Sequence, residues 1–243
     1  HINLKLEKAI ISFNNYKKNG KGSKLKEVIR DIEQVRNAQK LILTPIDISF
    51  ENLGGKINTE YPDYYSFVTP NESFMVFTSR RKNGVREFDG YYPSSIYYTK
   101  AVNGKYVKAK RASDLINSTY DDQIVGLSYN AEKMFIYFDD ITNTGDIYEA
   151  DLKDFKFQKK NKMSEIVNSK GFESSASISP DGNTLFFASR RNEGLGGKDI
   201  YMTRKLPTGE WALPQNLGNT INTKYDEDFP NLLFDGKTLY FSS

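Results

Sequence analysis

Apolar residues at Leu6, Ala9, Ile10, Phe13 and Tyr16 recur at steps of three and four, and Leu25, Val28, Ile29, Ile32, Val35 and Leu41 resume such spacing after Asn19-Gly20-Lys21-Gly22-Ser23. The spacing predicts helix, turn, helix. Beyond Pro45 short β-branched and aromatic runs alternate with Asn, Asp, Gly and Lys, which predicts strands joined by turns.

The strand region repeats itself. Ile57-Asn58-Thr59-Glu60-Tyr61 returns as Ile116-Asn117-Ser118-Thr119-Tyr120, Val167-Asn168-Ser169-Lys170-Gly171 and Ile221-Asn222-Thr223-Lys224-Tyr225. Each copy is followed at a constant distance by a turn and an aromatic strand: Asn71-Glu72 with Phe74-Met75-Val76-Phe77, Asn130-Ala131 with Met134-Phe135-Ile136-Tyr137, Asp181-Gly182 with Leu185-Phe186-Phe187, and Asp235-Gly236 with Leu239-Tyr240-Phe241. The first three units add a third strand through Ser95-Ile96-Tyr97-Tyr98, Asp146-Ile147-Tyr148 and Asp199-Ile200-Tyr201. The third adds a fourth through Glu210-Trp211-Ala212-Leu213. Four strands per repeat of about 50 residues is the pattern of a propeller blade. The turn is weakest in the second unit, where Tyr129-Asn130-Ala131 stands for Pro180-Asp181-Gly182, but the register is kept.

Composition supports this division. Sixteen Tyr and sixteen Phe favour pleated, half-buried surfaces. Residues 1–43 carry ten Lys or Arg against four Asp or Glu, whereas residues 44–243 carry 24 against 27. The basic end reads as solvated helix faces, and nucleic acid gains no support as a partner. No run of 18 apolar residues is present to span a membrane.

Ser179-Pro180-Asp181-Gly182-Asn183-Thr184-Leu185-Phe186-Phe187, then Gly196-Gly197-Lys198-Asp199-Ile200-Tyr201, then Trp211, Pro214 and Asn216-Leu217-Gly218, resemble the WD40-like repeat of the TolB-type β-propellers. Ala9 and Phe13 resemble the small and aromatic positions of a tetratricopeptide helix. A basic helical end before Glu51-Asn52-Leu53-Gly54 and Ile57-Asn58-Thr59 is similar to Bacteroidetes-type envelope proteins. In those, tetratricopeptide repeats precede the propeller and an OmpA-like peptidoglycan-binding domain follows. The resemblance implies a periplasmic, outer-membrane-associated scaffold, in some members an accessory part of the type IX secretion apparatus. Its partners would be other envelope proteins, and peptidoglycan through a domain outside this chain.

The chemistry available is narrow. The chain has no Cys, and its one histidine is His1, which removes thiolate sites, a Ser-His-Asp triad and a His-based metal site. Gly194-Leu195-Gly196-Gly197 lies between strands without a following helix, so it reads as a turn and not a phosphate loop. Carboxylates cluster at Asp121-Asp122, at Asp139-Asp140 with Asp146, and at Asp226-Glu227-Asp228. Carboxylates alone run glycoside hydrolysis when suitably spaced. Asp139 to Asp146, with Asn143 and Gly145, offers oxygen ligands for calcium but lacks EF-hand spacing. Asp63, Asp122, Glu173 and Glu227 recur at one blade position, which favours a repeated structural hydrogen bond. Arg80-Arg81 and Arg190-Arg191 follow the second strand of the first and third units, where they can clamp a carboxylate of a partner or of a neighbouring blade.

The expectation is therefore a mainly β protein: a β-propeller of four-stranded blades over residues 44–243, with about four visible and six in the full protein, preceded by an α-helical tetratricopeptide-like end over residues 1–43. The function expected is a non-catalytic interaction scaffold without cofactor or metal, with Arg80, Arg81, Arg190 and Arg191 as partner-binding candidates. The alternatives are a carboxylate-based glycan-active enzyme and a calcium-dependent sugar-binding propeller. Asp47 to Phe50 are expected to form an outer strand, and Phe77, Tyr137, Phe187 and Tyr240 to be core between blades. Ser243 falls inside a hairpin, so the native product is expected to extend in both directions.

Overall fold

The computed structural model describes residues 2–20, 24–139 and 145–243. The chain divides into two compact units, 1–51 and 52–243. In the first, helix α1 (Ile2–Asn19) packs on helix α2 (Lys24–Leu41), with Val28 and Ile32 of α2 buried as their spacing predicts. The expected strand at Asp47 to Phe50 is absent: the segment is irregular and Ile46, Ile48 and Phe50 are exposed. An outer strand exists only against a third strand, and none of the described strands pairs with this segment.

The second unit is a row of antiparallel sheets, one per sequence repeat. Blade one contains β1 (Asp63–Val68), β2 (Phe74–Ser79), β3 (Ser95–Val102), the short β4 (Lys105–Tyr106) and the outer β5 (Lys110–Arg111). Blade two contains β6 (Asp121–Leu127), β7 (Lys133–Asp139), β8 (Asp146–Lys153), β9 (Lys156–Phe157) and β10 (Asn161–Lys162). Blade three runs through β11 (Glu173–Ile178), β12 (Thr184–Ser189), β13 (Asp199–Arg204) and β14 (Gln215–Asn216), and a fourth sheet holds β15 (Asp228–Leu232) and β16 (Leu239–Ser242). The first two blades thus also own an outer strand. In the third the outer strand is Gln215–Asn216, and the predicted Glu210 to Leu213 supplies only a bridge between Lys205 and Trp211.

First strands of successive blades pack on one another: β1 on β6, β6 on β11 and β11 on β15. That packing explains the glycine in β6, because a Cβ on Gly126 would lie 2.1 Å from the Ala176 carbonyl oxygen. Apolar residues from both faces of the sheets fill the junctions. Phe74, Val76 and Ile96 meet Ile124, Met134 and Ile136 between blades one and two. Val125, Phe135 and Ile147 meet Leu185, Phe187 and Tyr201 between blades two and three. Phe187 is core between blades as expected; Phe77 is buried, but within blade one and against Ile57, and Tyr137 is half-buried, while Tyr240 is 62% exposed because among the described strands β16 pairs only with β15.

The four predicted turns share one geometry. The Glu72, Ala131, Gly182 and Gly236 amides donate to the carbonyls of Thr69, Ser128, Ser179 and Leu233 at 2.8 to 3.0 Å. All four have positive φ, between 54° and 74°. Glycine adopts that conformation freely, whereas Glu72 and Ala131 do so against a steric cost, so the weaker turn sequences leave the register intact.

Candidate functional site

Three of the four repeated motifs, at Asn117, Asn168 and Asn222, clamp the preceding blade. The Asn117 Oδ1 accepts the Ile96 N–H at 2.7 Å while its Nδ2 donates to the carbonyls of Ile96 and Ala112. Asn168 holds Ile147 and Met163 in the same way, and Asn222 holds Ile200 and the Asn216 amide oxygen. All three asparagines are buried, and each reaches the third strand of the blade that its own segment has just left. One side chain therefore satisfies backbone donors and acceptors on two elements in an interior where leaving them unpaired is expensive.

Six residues after the first of each motif is the recurring carboxylate. Asp122, Glu173 and Glu227 each accept a backbone N–H and a hydroxyl from Ser118, Ser169 and Thr223, and Asp63 does so from Thr59. The expected repeated structural hydrogen bond is what the geometry contains. Burial alone would raise the Asp63 carboxyl, but hydrogen bonds from Ser79, Arg81 and Thr59 hold it below the ordinary range. A further hydroxyl closes the ring: Ser189 Oγ lies 2.6 Å from Glu173, and Ser243 Oγ lies 2.9 Å from Glu227.

Arg81 and Arg191 complete this arrangement. Arg81 donates from Nε to Ser79 Oγ at 2.8 Å and from Nη2 to the Ile57 carbonyl at 2.9 Å and Asp63 at 2.7 Å, with its guanidinium 4.4 Å from the Tyr97 ring centre. Arg191 repeats the pattern with Ser189, the Val167 carbonyl and Glu173, over Phe187 and Tyr201. Burial pushes the Arg191 guanidinium below its ordinary value. Both guanidinium groups are thus engaged within the chain. Blade two substitutes Lys160, which reaches Asp122 from the outer-strand side and sits over Phe138. Sequence spacing does not reveal this lysine, because it is 38 residues from its partner.

The other two arginines point elsewhere. Arg80 donates from Nη1 to Asp89 at 2.5 Å, from Nη2 to Glu87 and from Nε to the Tyr92 carbonyl, all in the loop joining β2 to β3. Arg190 crosses to the segment just before the fourth sheet, 3.4 Å from Asp226, and its side chain is 54% exposed. Of the four candidates it alone bridges to a neighbouring blade, and it presents the most open guanidinium.

The acidic clusters are distributed among blade contacts. Asp121 takes the Ser94 N–H and hydroxyl, Asp226 takes the Lys198 N–H, and Asp228 takes the hydroxyls of Ser174 and Ser175 and the Lys198 ammonium. In the calcium candidate, Asp140 and Asn143 lie outside the described residues, and Asp146 pairs with Lys162 at 2.6 Å. At the opposite end of the second strands a cleft of about 660 Å³ lies between blades two and three, lined by Glu132, Lys133, Asp151, Asp181 and Lys205 among others. There Lys133 bridges Glu149 and Asp151 at 3.0 and 2.9 Å.

No family model matches the chain. No curated protein matches it either. Among solved structures it is similar to TolB from Acinetobacter baumannii, with 18% identity and a TM-score of 0.54 over 76% of this chain and 39% of that one. It is also similar to a protein described as TolB from Agrobacterium tumefaciens, with 16% identity and a TM-score of 0.50 over 72% of this chain and 51% of that one. A gluconolactonase from Xanthomonas campestris matches at 14% identity over 74% of this chain and 54% of that one, but its TM-score of 0.47 carries no argument. The chain spans about two fifths to a half of the two TolB structures. At these identities the likeness shows the fold alone, a β-propeller whose structural neighbours are of the TolB type.

Proposed function

We propose that this chain is a non-catalytic protein-interaction scaffold of the bacterial periplasm, associated with the outer membrane, whose partners are other envelope proteins. The observation that supports this reading is the fate of the recurring carboxylate. In all four repeats it is tied to a backbone N–H and a hydroxyl, so the motif that reaches every blade serves the frame and leaves the rims for recognition. Arg190 is the rim residue best placed to meet a partner carboxylate; Arg80, held by Glu87 and Asp89, orders the rim loop between β2 and β3, and Arg81 and Arg191 brace the strands that present them. The sequence resemblance extends the reading to an accessory role in type IX secretion or peptidoglycan-linked machinery, with peptidoglycan held by a domain outside this chain.

The test combines two measurements. A photo-crosslinking residue placed at Arg190 or Arg80 in the native bacterium is expected to capture defined envelope proteins, and the purified chain is expected to leave a panel of glycans intact. Glycan turnover that disappears in Asp122→Asn would overturn the scaffold reading in favour of an enzyme.

A further inference from the structure

The loop joining β2 to β3 is longer than the frame requires. It runs over residues 80–94, fifteen residues, where the same loop of blade three runs over 190–198, nine residues. Both loops open on an arginine pair whose second member braces its own blade. The first members differ. Arg190 reaches Asp226 just before the fourth sheet, whereas Arg80 is turned onto Glu87 and Asp89, two carboxylates that its own longer loop supplies. Insertions that the repeat can do without fall on loops, where binding residues concentrate.

Glu87 and Asp89 stand on either side of Phe88, and drawing both onto one guanidinium turns the residue between them outward. The backbone closes the same turn. The Gly90 N–H donates to the Glu87 carbonyl at 3.0 Å, the Glu87 N–H donates to the Tyr91 carbonyl at 2.7 Å, and Gly90 has a φ of 86°. Phe88 at the tip is fully exposed, and Val85 is 83% exposed. The base of the loop is pinned: Asn83 donates from Nδ2 to Ser95 Oγ at 3.0 Å, and the Ser94 N–H donates to Asp121 of blade two at 2.7 Å. Tyr92 is buried edge-on to Tyr61, with the Arg86 guanidinium 5.3 Å from its ring centre. A lone exposed apolar side chain is ordinary on a protein surface, but one fixed at a turn by an ion pair on each side has lost the freedom to fold away from water.

Charge indicates what meets this tip. Arg80 neutralises Glu87 and Asp89, and Asp63 neutralises Arg81, whereas Lys82 and Arg86 have no carboxylate partner among the described residues. Val85 and Phe88 therefore share their loop with two uncompensated cations. We propose that residues 82–91 are a preformed docking knob for a protein partner, which receives Phe88 in an apolar pocket bordered by carboxylates. This deepens the scaffold reading and rests on it. Phe88 supplies the anchor, Lys82 and Arg86 supply steering and orientation, and Arg80 supplies the preorganisation that lowers the entropy lost on binding. One ring held rigid suits a shaped pocket, whereas a membrane surface takes a broad apolar face.

The test places the photo-crosslinking residue p-benzoylphenylalanine at position 88 of the protein in its native bacterium. One protein partner is expected, captured through a peptide that carries carboxylates beside apolar residues. That partner, purified, is expected to bind Phe88→Ser at least about tenfold more weakly than the unaltered chain, the size of a hot-spot loss. Arg80→Ala and the double change Lys82→Glu with Arg86→Glu are each expected to weaken binding at least about threefold, the charge variant through slower association. Phe88→Ser should melt with the unaltered chain, because a fully exposed side chain supports nothing in the fold, so lost binding is separable from lost folding. Capture from position 190 with none from position 88 would overturn the inference and leave the scaffold reading standing; capture from neither would end both. Crosslinks to lipid, to a second copy of the chain or to a basic peptide would overturn it, as would equal binding by Phe88→Ser.

Discussion

At the scale of single residues, the chain carries strain where a turn has lost its glycine. Glu72 is exposed and held at a φ of 54°, where Gly182 and Gly236 occupy the equivalent place. Relieving a left-handed side-chain residue offsets the entropy that glycine adds to the unfolded chain. Glu72→Gly is therefore expected to stabilise the fold by about 0.5–1 kcal/mol in urea denaturation; a loss of stability would show that the turn depends on the glutamate side chain. Asp63 gives a pH dependence of known sign. Its carboxyl is held below its ordinary value of 3.8, so its contribution is complete above that pH and is lost as the pH falls through the lower folded value. Comparing acid unfolding of the chain with that of Asp63→Asn should show the variant less stable at neutral pH, with the two converging in acid. Parallel curves would mean that Asp63 is not the titrating group.

At the scale of elements, the closeness of first strands decides which residues they tolerate. β6 meets β11 so tightly that the site of a Cβ on Gly126 is filled by a backbone oxygen, which no change of rotamer can move. Gly126→Ala must push two blades apart, and its expected cost is about 1–3 kcal/mol, the range for overpacking a close-packed interior. Gly55→Ala is its control, since open space surrounds that position and its φ, like that of Gly126, is not left-handed. If both variants melt alike, the blade junction takes up the added methyl group without cost and the close approach is not what the glycine is there for. The helical element owes its form to a simpler cause. Its apolar stripe buries Val28 and Ile32 of α2, and no described helix is long and apolar enough to cross a membrane.

At the scale of the whole molecule, the fourth sheet has two strands where the others have four or five, so among the described residues the edge of β16 that a third strand would take is open. β16 bonds to β15 alone, and its Tyr240 and Phe241 are 62% and 36% exposed. Open edges of this kind recruit other strands. Sedimentation velocity is expected to show association that grows with concentration and is reduced in Tyr240→Lys, because an edge lysine disfavours strand addition. A monomer at all concentrations, or no effect of the lysine, would show that the edge is shielded.

The internal repeat makes the propeller legible in the sequence, because blade strands have to recur with the same turn, the same apolar alternation and the same asparagine. The recurring carboxylate could also be read as structural, since a carboxylate at the same position of all four repeats suits a frame better than a single reaction centre. What Asn117, Asn168 and Asn222 hold was not legible, because each partner is a backbone isoleucine 21 or 22 residues away and backbone groups leave no mark in a sequence. Nor was the role of Lys160, which replaces an arginine's charge from the segment before β10. The outer strand at Asp47 to Phe50 was expected from its likeness to the segment before Gly218, yet it is absent for a tertiary reason. A strand is made by its neighbour, and local pattern can propose one but cannot supply the backbone it must bond to.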